Sequence, residues 1–245
     1  VYGLHAVAAL VRRDPVGLLG VWLQRDRRDE RLERLRAELL AQGLKAQEAS
    51  RSTLDRMARG ARHQGVVARY RSTEQATDLD LETLLEARHG DVFLLVLDQV
   101  VDPRNLGACV RSAVAAGVDA VVVPRHRSAS LTAAARKSAS GAAELVPLIT
   151  VGNLASALGA LHAAGVHVVG AALDAVTSLY DMDLGGPLAL VLGGEERGLR
   201  RLTRESCDDL VHIPMADAVQ SLNVSAAAAV FLFEARRQRG TSMKR

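Results

Sequence analysis

The sequence predicts an α/β protein in two parts. A parallel-sheet domain with helices on both faces follows a small α/β unit rich in arginine. Three observations carry this reading. From Asp91 onward, short apolar runs and helical stretches alternate in strict order, as strands joined by crossover helices do. Residues 1–71 hold 15 Lys+Arg against 8 Asp+Glu, whereas residues 91–245 hold 15 of each. Residues 72–90 turn acidic and polar, with 1 basic against 5 acidic residues, and read as a linker. The domain boundaries are therefore placed at 1–71, 72–90 and 91–245.

In the first unit, Leu4–Val11 reads as a short apolar helix and Leu18–Leu23 as a strand. Asp29–Leu40 follows as a helix, with Leu32, Leu35, Leu39 and Leu40 on one side and arginines on the other. Ser52 is the expected cap of a further helix through Met57, because its hydroxyl accepts orphan amide hydrogens. Gln64–Tyr70 returns as a strand, and Leu81–Leu85 supplies one helical turn before the second domain.

There Val92–Val100 is a continuous apolar run bounded by Asp-Pro, the signature of a strand buried on both faces. Helices are expected at Leu106–Ala116, Thr132–Ser140, Asn153–Ala164 (stopped by Gly165) and Leu222–Arg237. Strands are expected at Ala120–Val123, Leu145–Val151, Val166–Ala171, Leu188–Leu192 and Leu210–Ile213. In such sheets ligands bind beyond the carboxyl ends of the strands.

Composition excludes several classes. A chain of 245 residues that is 49% hydrophobic can bury a sizeable core and is not a disordered segment. No apolar run approaches the roughly 18 residues that span a bilayer, and no cleavable secretory segment opens the sequence. The first residue is Val1 rather than Met, so a short leader is expected ahead of it. Cys109 and Cys207 lack CxxC spacing, which points to a reducing cytoplasm rather than disulfides or zinc. Three of the 31 basic residues are lysines (Lys45, Lys137 and Lys244), leaving 28 arginines. Together with abundant alanine this is also what a GC-rich genome writes, so the distribution of charge carries more than its kind. A basic module beside a neutral one is a usual arrangement for engaging nucleic acid. With 3% aromatics, any such grip leans on arginine rather than base stacking.

Three loops at strand ends concentrate polar residues. The first is Asp102-Pro103-Arg104-Asn105-Leu106-Gly107-Ala108-Cys109-Val110-Arg111. Asn105 reads either as a helix cap or as a ligand-contacting amide. Arg111 falls in an otherwise small, apolar stretch, where a guanidinium wants a carboxylate or phosphate partner. The second runs through Gly193-Gly194-Glu195-Glu196-Arg197-Gly198, where paired glycines permit close backbone approach or simply make a tight turn. It has neither the Gly-Lys-Ser/Thr of a Walker loop nor GxGxxG spacing, so nucleotide hydrolysis and nicotinamide chemistry fall. The third is Ile213-Pro214-Met215 followed by Ser221-Leu222-Asn223-Val224-Ser225 and the alanine run Ala226–Ala229. One of Ser221 and Asn223 is expected to cap the final helix, whose Phe231 and Phe233 are assigned to the core. His63 reads as structural or as a partner contact. Seven scattered histidines without HExxH, and no Gly-x-Ser-x-Gly, leave no metal or serine-nucleophile signature.

Taken together, the loops resemble the three motifs of the SpoU (TrmH-like) family of RNA ribose 2′-O-methyltransferases. These are Asn105-x-Gly107-x-x-x-Arg111, Gly193-x-Glu195-x-x-Gly198, and Ile213-Pro214-Met215 with Ser221-Leu222-Asn223-Val224-Ser225, in the family's order. Tyr2-Gly3-Leu4-His5-Ala6-Val7, His63-Gln64-Gly65-Val66-Val67-Ala68 and Gly141-Ala142-Ala143-Glu144 are similar to the subgroup that methylates a guanosine ribose in 23S ribosomal RNA. Asp217 departs from the glycine common in relatives, which bears on the shape of that loop.

The resemblance implies a trefoil-knotted, SPOUT-type catalytic domain and a homodimer, beside the cytoplasmic location expected from the cysteines and the absence of a membrane span expected from the apolar runs. It implies S-adenosylmethionine as methyl donor, no metal, and a ribosomal-protein-like substrate-binding domain at the front. Gly193, Ile213 and Leu222 are then expected to hold the donor, and Asn105, Glu195, Ser221 and Asn223 to position the substrate and Arg111. In the family Arg111 is the proposed catalytic residue, sometimes described as a general base. A guanidinium offers donors and no acceptor, so anchoring phosphate and stabilising a developing alkoxide is the other reading. A transfer-RNA methylating relative, or a non-catalytic RNA-binding scaffold, are the competing functions.

Overall fold

Each of the two units into which the chain divides, Val1–Gln75 and Ala76–Arg245, is built on its own sheet. The computed structural model describes residues 1–13, 15–27, 29–58, 60–61, 63–70, 80–195, 197–216 and 221–242.

In the first unit the described strands are β1 (Leu18–Gln24), β2 (Ala46–Ala49) and β3 (Val66–Tyr70). Strand β1 is central, parallel to β2 and antiparallel to β3. Helices α1 (Leu4–Arg13), α2 (Glu30–Ala41) and α3 (Arg51–Met57) complete it. Asp29 caps α2 by accepting from the amides of Arg31 and Leu32. Leu32, Leu35 and Leu39 are buried, but Leu40 is exposed, contrary to expectation. At 100° per residue, the position after Leu39 has already turned off the apolar face. Ser50, not Ser52, caps α3, its hydroxyl accepting from the Thr53 amide at 3.2 Å. Strand β2 was not anticipated, because Ala-Gln-Glu-Ala lacks apolar alternation and only Ala49 is buried. His63 is structural: Nε2 lies 3.0 Å from Asp55 Oδ1, and Nδ1 accepts from the Gly65 amide at 3.1 Å.

The second unit opens with α4 (Leu81–Ala87), capped by Asp80 and burying Leu81, Leu84 and Leu85. Its sheet contains β4 (Phe93–Asp98), β5 (Ala120–Pro124), β6 (Leu148–Val151), β7 (His167–Ala171), β8 (Thr177–Ser178), β9 (Leu188–Gly193) and β10 (Asp209–His212). The described strands run in the order β6-β5-β4-β9-β7-β10-β8, and every pair is parallel. The helices are α5 (Pro103–Ala116), α6 (Ala133–Ala139), α7 (Leu154–Ala163), α8 (Arg201–Glu205) and α9 (Val224–Ser242). Every residue of β4 is buried, so its continuous apolar run does serve two faces. Phe93, Leu95 and Leu97 join a core with α5 and α9, while Leu94 and Val96 join one with α4 and α7.

Several boundaries moved. Helix α5 begins at Pro103, because Asp102 caps it by accepting from the Arg104 amide at 2.8 Å and proline suits the first helical turn. The Asp-Pro expected to end a strand therefore starts a helix. Strand β6 begins at Leu148 and not Leu145, since Ala142–Glu144 winds into a 3-10 turn. The short α8 and β8 carry too few residues for a period to show. Phe231 is core, but Phe233 is 50% exposed and is not.

Helices α5 and α6 approach closely at Gly107, against the Ala135 backbone and the Ser138 side chain. A Cβ built there would stand 2.2 Å from the Ala135 carbonyl oxygen and 2.8 Å from Ser138 Cβ. Gly107→Ala is therefore expected to destabilise the protein by about 1–3 kcal/mol, the range for overpacking. That lowers the melting temperature by roughly 2–4 °C per kcal/mol in a chain of this size. A thermal melt unchanged from wild type would contradict the packing described.

Candidate active site

The parallel pairing of β4 with β9 sets Asp98 directly opposite Gly193, so the two loops that follow leave the sheet side by side. The Asp98 carboxylate is fully buried and accepts from Arg200 Nε at 2.7 Å and the Arg200 amide at 3.0 Å. Its carbonyl takes the Gly194 amide at 2.8 Å. The loop then folds on itself, with Gly198 donating to the Gly194 carbonyl at 3.0 Å from a left-handed φ of 61°. A Cβ on Gly193 would lie 2.0 Å from the Gly198 carbonyl carbon, and one on Gly194 2.4 Å from the Gln99 oxygen. Both glycines are demanded by this fold of the loop. Glu195 stands at its tip, exposed.

Asn105 lies in the first turn of α5 but does not cap it, since Asp102 holds that place. Its amide nitrogen donates to Glu195 Oε1, and its oxygen accepts from Asn223 Nδ2 at 3.2 Å. Asn223 in turn accepts from the Ser225 amide at 2.9 Å and hydroxyl at 2.6 Å, which starts α9. One hydrogen-bonded chain, Asn223 to Asn105 to Glu195, thus ties the third, first and second loops together.

A cavity of about 490 Å³ opens beside this chain. Gly193, Glu195, Ile213, Ser221 and Leu222 line it, so the three expected donor-site residues and two of the expected substrate-site residues surround one cavity. Asp174 and Arg204 also line it, paired at 2.8 and 3.0 Å. The hydrogen bond from Arg204 holds the Asp174 carboxyl below its usual range. Sequence reasoning missed this pair. The available signal was that Asp174 follows the carboxyl end of β7, where ligands of such sheets sit.

Arg111 is not part of the chain. It is exposed, with Nη1 3.5 Å from Ser140 Oγ, and no hydrogen bond joins it to Asn105, Glu195, Ser221 or Asn223 among the described residues. The expectation of a close-packed setting fails for a geometric reason. Arg111 follows Gly107 by four residues and so shares its face of α5, but α6, which covers Gly107, ends at Ser140 beside Arg111 and leaves the guanidinium exposed. Asp217 and Glu196 lie outside the described residues. Among the described residues no group of three or more His, Cys, Asp or Glu is placed to hold a metal ion.

Residues 92–233 match the SpoU rRNA Methylase family, and residues 1–76 match the family described as RNA 2′-O ribose methyltransferase substrate binding. Over 240 residues the chain is 56% identical to the 23S rRNA (guanosine-2′-O-)-methyltransferase RlmB of Yersinia pestis, covering 98% of this chain and 97% of that one. The enzyme of the same name from Vibrio cholerae is 52% identical over 239 residues, covering 98% and 96%. Among solved structures, the SpoU methyltransferase AviRb from Streptomyces viridochromogenes, in complex with the cofactor AdoMet, is similar with a TM-score of 0.70. It is 25% identical, over 98% of this chain and 90% of that one. A TrmH/SpoU tRNA modifying enzyme of A. aeolicus is similar over 66% of this chain and 86% of its own, with a TM-score of 0.57 and 26% identity.

Neither cysteine is poised as a nucleophile. Burial pushes the Cys109 thiol up to about 12, with the Glu195 charge adding to the effect, and burial does the same to Cys207. Neither forms appreciable thiolate near neutrality. Native protein at pH 8 is expected to react far more slowly with a thiol-specific disulfide reagent than unfolded protein, which should titrate two thiols. Rapid stoichiometric labelling of the native chain would contradict this.

Proposed function

The chain belongs to the SpoU rRNA methylase family, and from that premise we propose that it methylates the ribose 2′-hydroxyl of a guanosine in 23S ribosomal RNA, with S-adenosylmethionine as donor. The observation that carries the proposal is the hydrogen-bonded chain Asn223–Asn105–Glu195, which gathers all three loops beside one cavity. A cavity of about 490 Å³ is within the range of small-molecule sites. Its walls mix apolar side chains (Ile213, Leu222) with glycine backbone at Gly193, as suits a nucleoside-bearing donor.

The donor supplies an electrophilic methyl group whose bond to sulfur breaks as one to the ribose oxygen forms, so neither a metal nor a covalent nucleophile is needed. Gly193, Ile213 and Leu222 hold the donor through backbone groups and apolar contact. Asn105 and Asn223 orient the ribose, and Glu195, exposed at the loop tip, receives or relays the departing proton. Ser221 supplies a hydroxyl to the same cavity. Arg111 contributes from outside the hydrogen-bonded chain. Its exposed guanidinium is free to take an RNA phosphate and to stabilise the oxygen as it loses its proton.

The amino-terminal unit docks the RNA through its surplus of positive charge, so affinity falls as salt rises. The protein acts in the cytoplasm as a homodimer with the trefoil-knotted path of its family. No helix among the described residues is long and apolar enough to cross a membrane. Phe233, half-exposed on α9, gives the partner an apolar footing.

Two measurements test this. Arg111→Ala should leave donor affinity by calorimetry nearly unchanged, yet slow single-turnover methylation of saturating RNA by about 10²–10³, as for loss of one oxyanion donor. Methylation at the wild-type rate would refute the assignment. Sedimentation at micromolar concentration should show a dimer, and an active monomer would refute that arrangement.

A further inference from the structure

Six of the fourteen Lys and Arg residues described in the larger unit have carboxylate partners. Arg88 pairs with Asp119, Arg136 with Glu144, Arg200 with Asp98, Arg201 with Glu205, Arg204 with Asp174 and Arg237 with Glu234. Arg104, Arg125, Arg127 and Lys137 do not. All four are exposed, and none of their side chains makes an ion pair or hydrogen bond among the described residues. Arg197 and Arg236 are also unpaired, on the second loop and on α9. The other four, however, are drawn to one edge by named contacts.

Arg125 and Arg127 follow β5, and Arg104 opens α5 after β4; these strands are parallel neighbours, so both segments leave the same edge of the sheet. The Ala129 amide donates to the Val100 carbonyl at 2.8 Å, tying the loop after β5 to the loop after β4. Lys137 lies in the last turn of α6, which packs on α5 at Gly107 and ends at Ser140 against Arg111. Asp102, the exposed carboxylate nearby in sequence, is engaged by the Arg104 amide as a helix cap. Arg127 moreover holds a left-handed φ of 56°, a conformation a long side chain rarely adopts. Gathering like charges without counter-charges costs stability, so the arrangement calls for an anionic partner.

We infer that Arg125 and Arg127, with Arg104 and Lys137, form a phosphate-binding track on the larger unit that seats the RNA backbone beside Arg111. This rests on the RNA-methylating reading and adds a docking surface distinct from the amino-terminal unit. Planar guanidinium forks match phosphate oxygens, and Pro124-Arg125-His126-Arg127-Ser128 presents no large apolar side chain for a protein partner to bury. The track positions RNA and takes no part in bond making.

The test uses full-length Arg125→Gln/Arg127→Asn, asparagine being tolerant of the left-handed backbone. The control is Arg88→Ala, a cation at the opposite edge of the sheet. Protein-free 23S RNA is the probe, and donor binding by calorimetry reports the fold. In the double variant the plot of log affinity against log salt should become shallower by about 1.4–1.8, since each phosphate contact contributes roughly 0.7–0.9. KM for RNA should rise on the order of tenfold while kcat stays within about twofold. Donor affinity should not change, and the control should behave as wild type. A slope and KM equal to wild type would overturn the track, as would a fall in kcat at constant KM. An effect seen on ribosomal particles but not on protein-free RNA would assign these arginines to a protein partner instead. Wild-type protein that neither binds nor methylates the RNA would overturn the functional reading itself.

Discussion

A carboxylate with no exposed surface, that of Asp98, fixes the place where the rest of the site is assembled. Burying such a group is tolerable only if its oxygens are met by strong donors, and Arg200 provides both its amide and its guanidinium. Removing one partner of a buried ion pair typically costs about 3–5 kcal/mol, although the partly exposed Arg200 side chain softens that figure here. The constraint acts on geometry. Asp98 ends β4 opposite Gly193 and also receives the Gly194 amide through its carbonyl. The second loop leaves the sheet at Gly193 and closes on itself between Gly194 and Gly198, and Glu195 is carried to the tip facing Asn105.

Close approach does the remaining positioning. Gly193 and Gly194 sit where any Cβ would strike backbone, and Gly107 lets α6 lie against α5. These contacts set where Asn105 stands relative to Glu195 and Asn223. The three polar side chains then satisfy one another without a buried charge. A ligand in the cavity meets glycine backbone, the apolar Ile213 and Leu222, and the polar Glu195 and Ser221.

Charge is divided along the same lines. Within the larger unit, cations that serve the fold are paired, as Arg88, Arg200 and Arg204 are. Four of those left without carboxylates, Arg104, Arg125, Arg127 and Lys137, belong to the segments that follow β4 and β5, near the loops that carry Asn105 and Arg111. An overall net charge of +3 hides this, since paired and unpaired arginines count alike in a sum.

By itself the sequence determined the element types, the parallel order of alternation and the three loops. Apolar runs such as Val92–Val100 and the glycine pair at Gly193 are local signals that read the same before and after folding. It also carried the family resemblance, because motif order survives in one dimension. Caps were less legible: Ser50 took the role expected of Ser52, and Asp102 the one open to Asn105, since neighbouring small polar residues compete for the same orphan amides. The tertiary structure alone decided which side chains meet. Asn105 and Asn223 are 118 residues apart, and only the packing of α5 against α9 brings them within hydrogen-bond reach. It alone turned Arg111 and Phe233 outward, because burial depends on which face of a helix the neighbours cover, and no spacing within the helix encodes that. It alone separated bound from unbound arginines, for an ion pair across the fold leaves no trace in the order of residues.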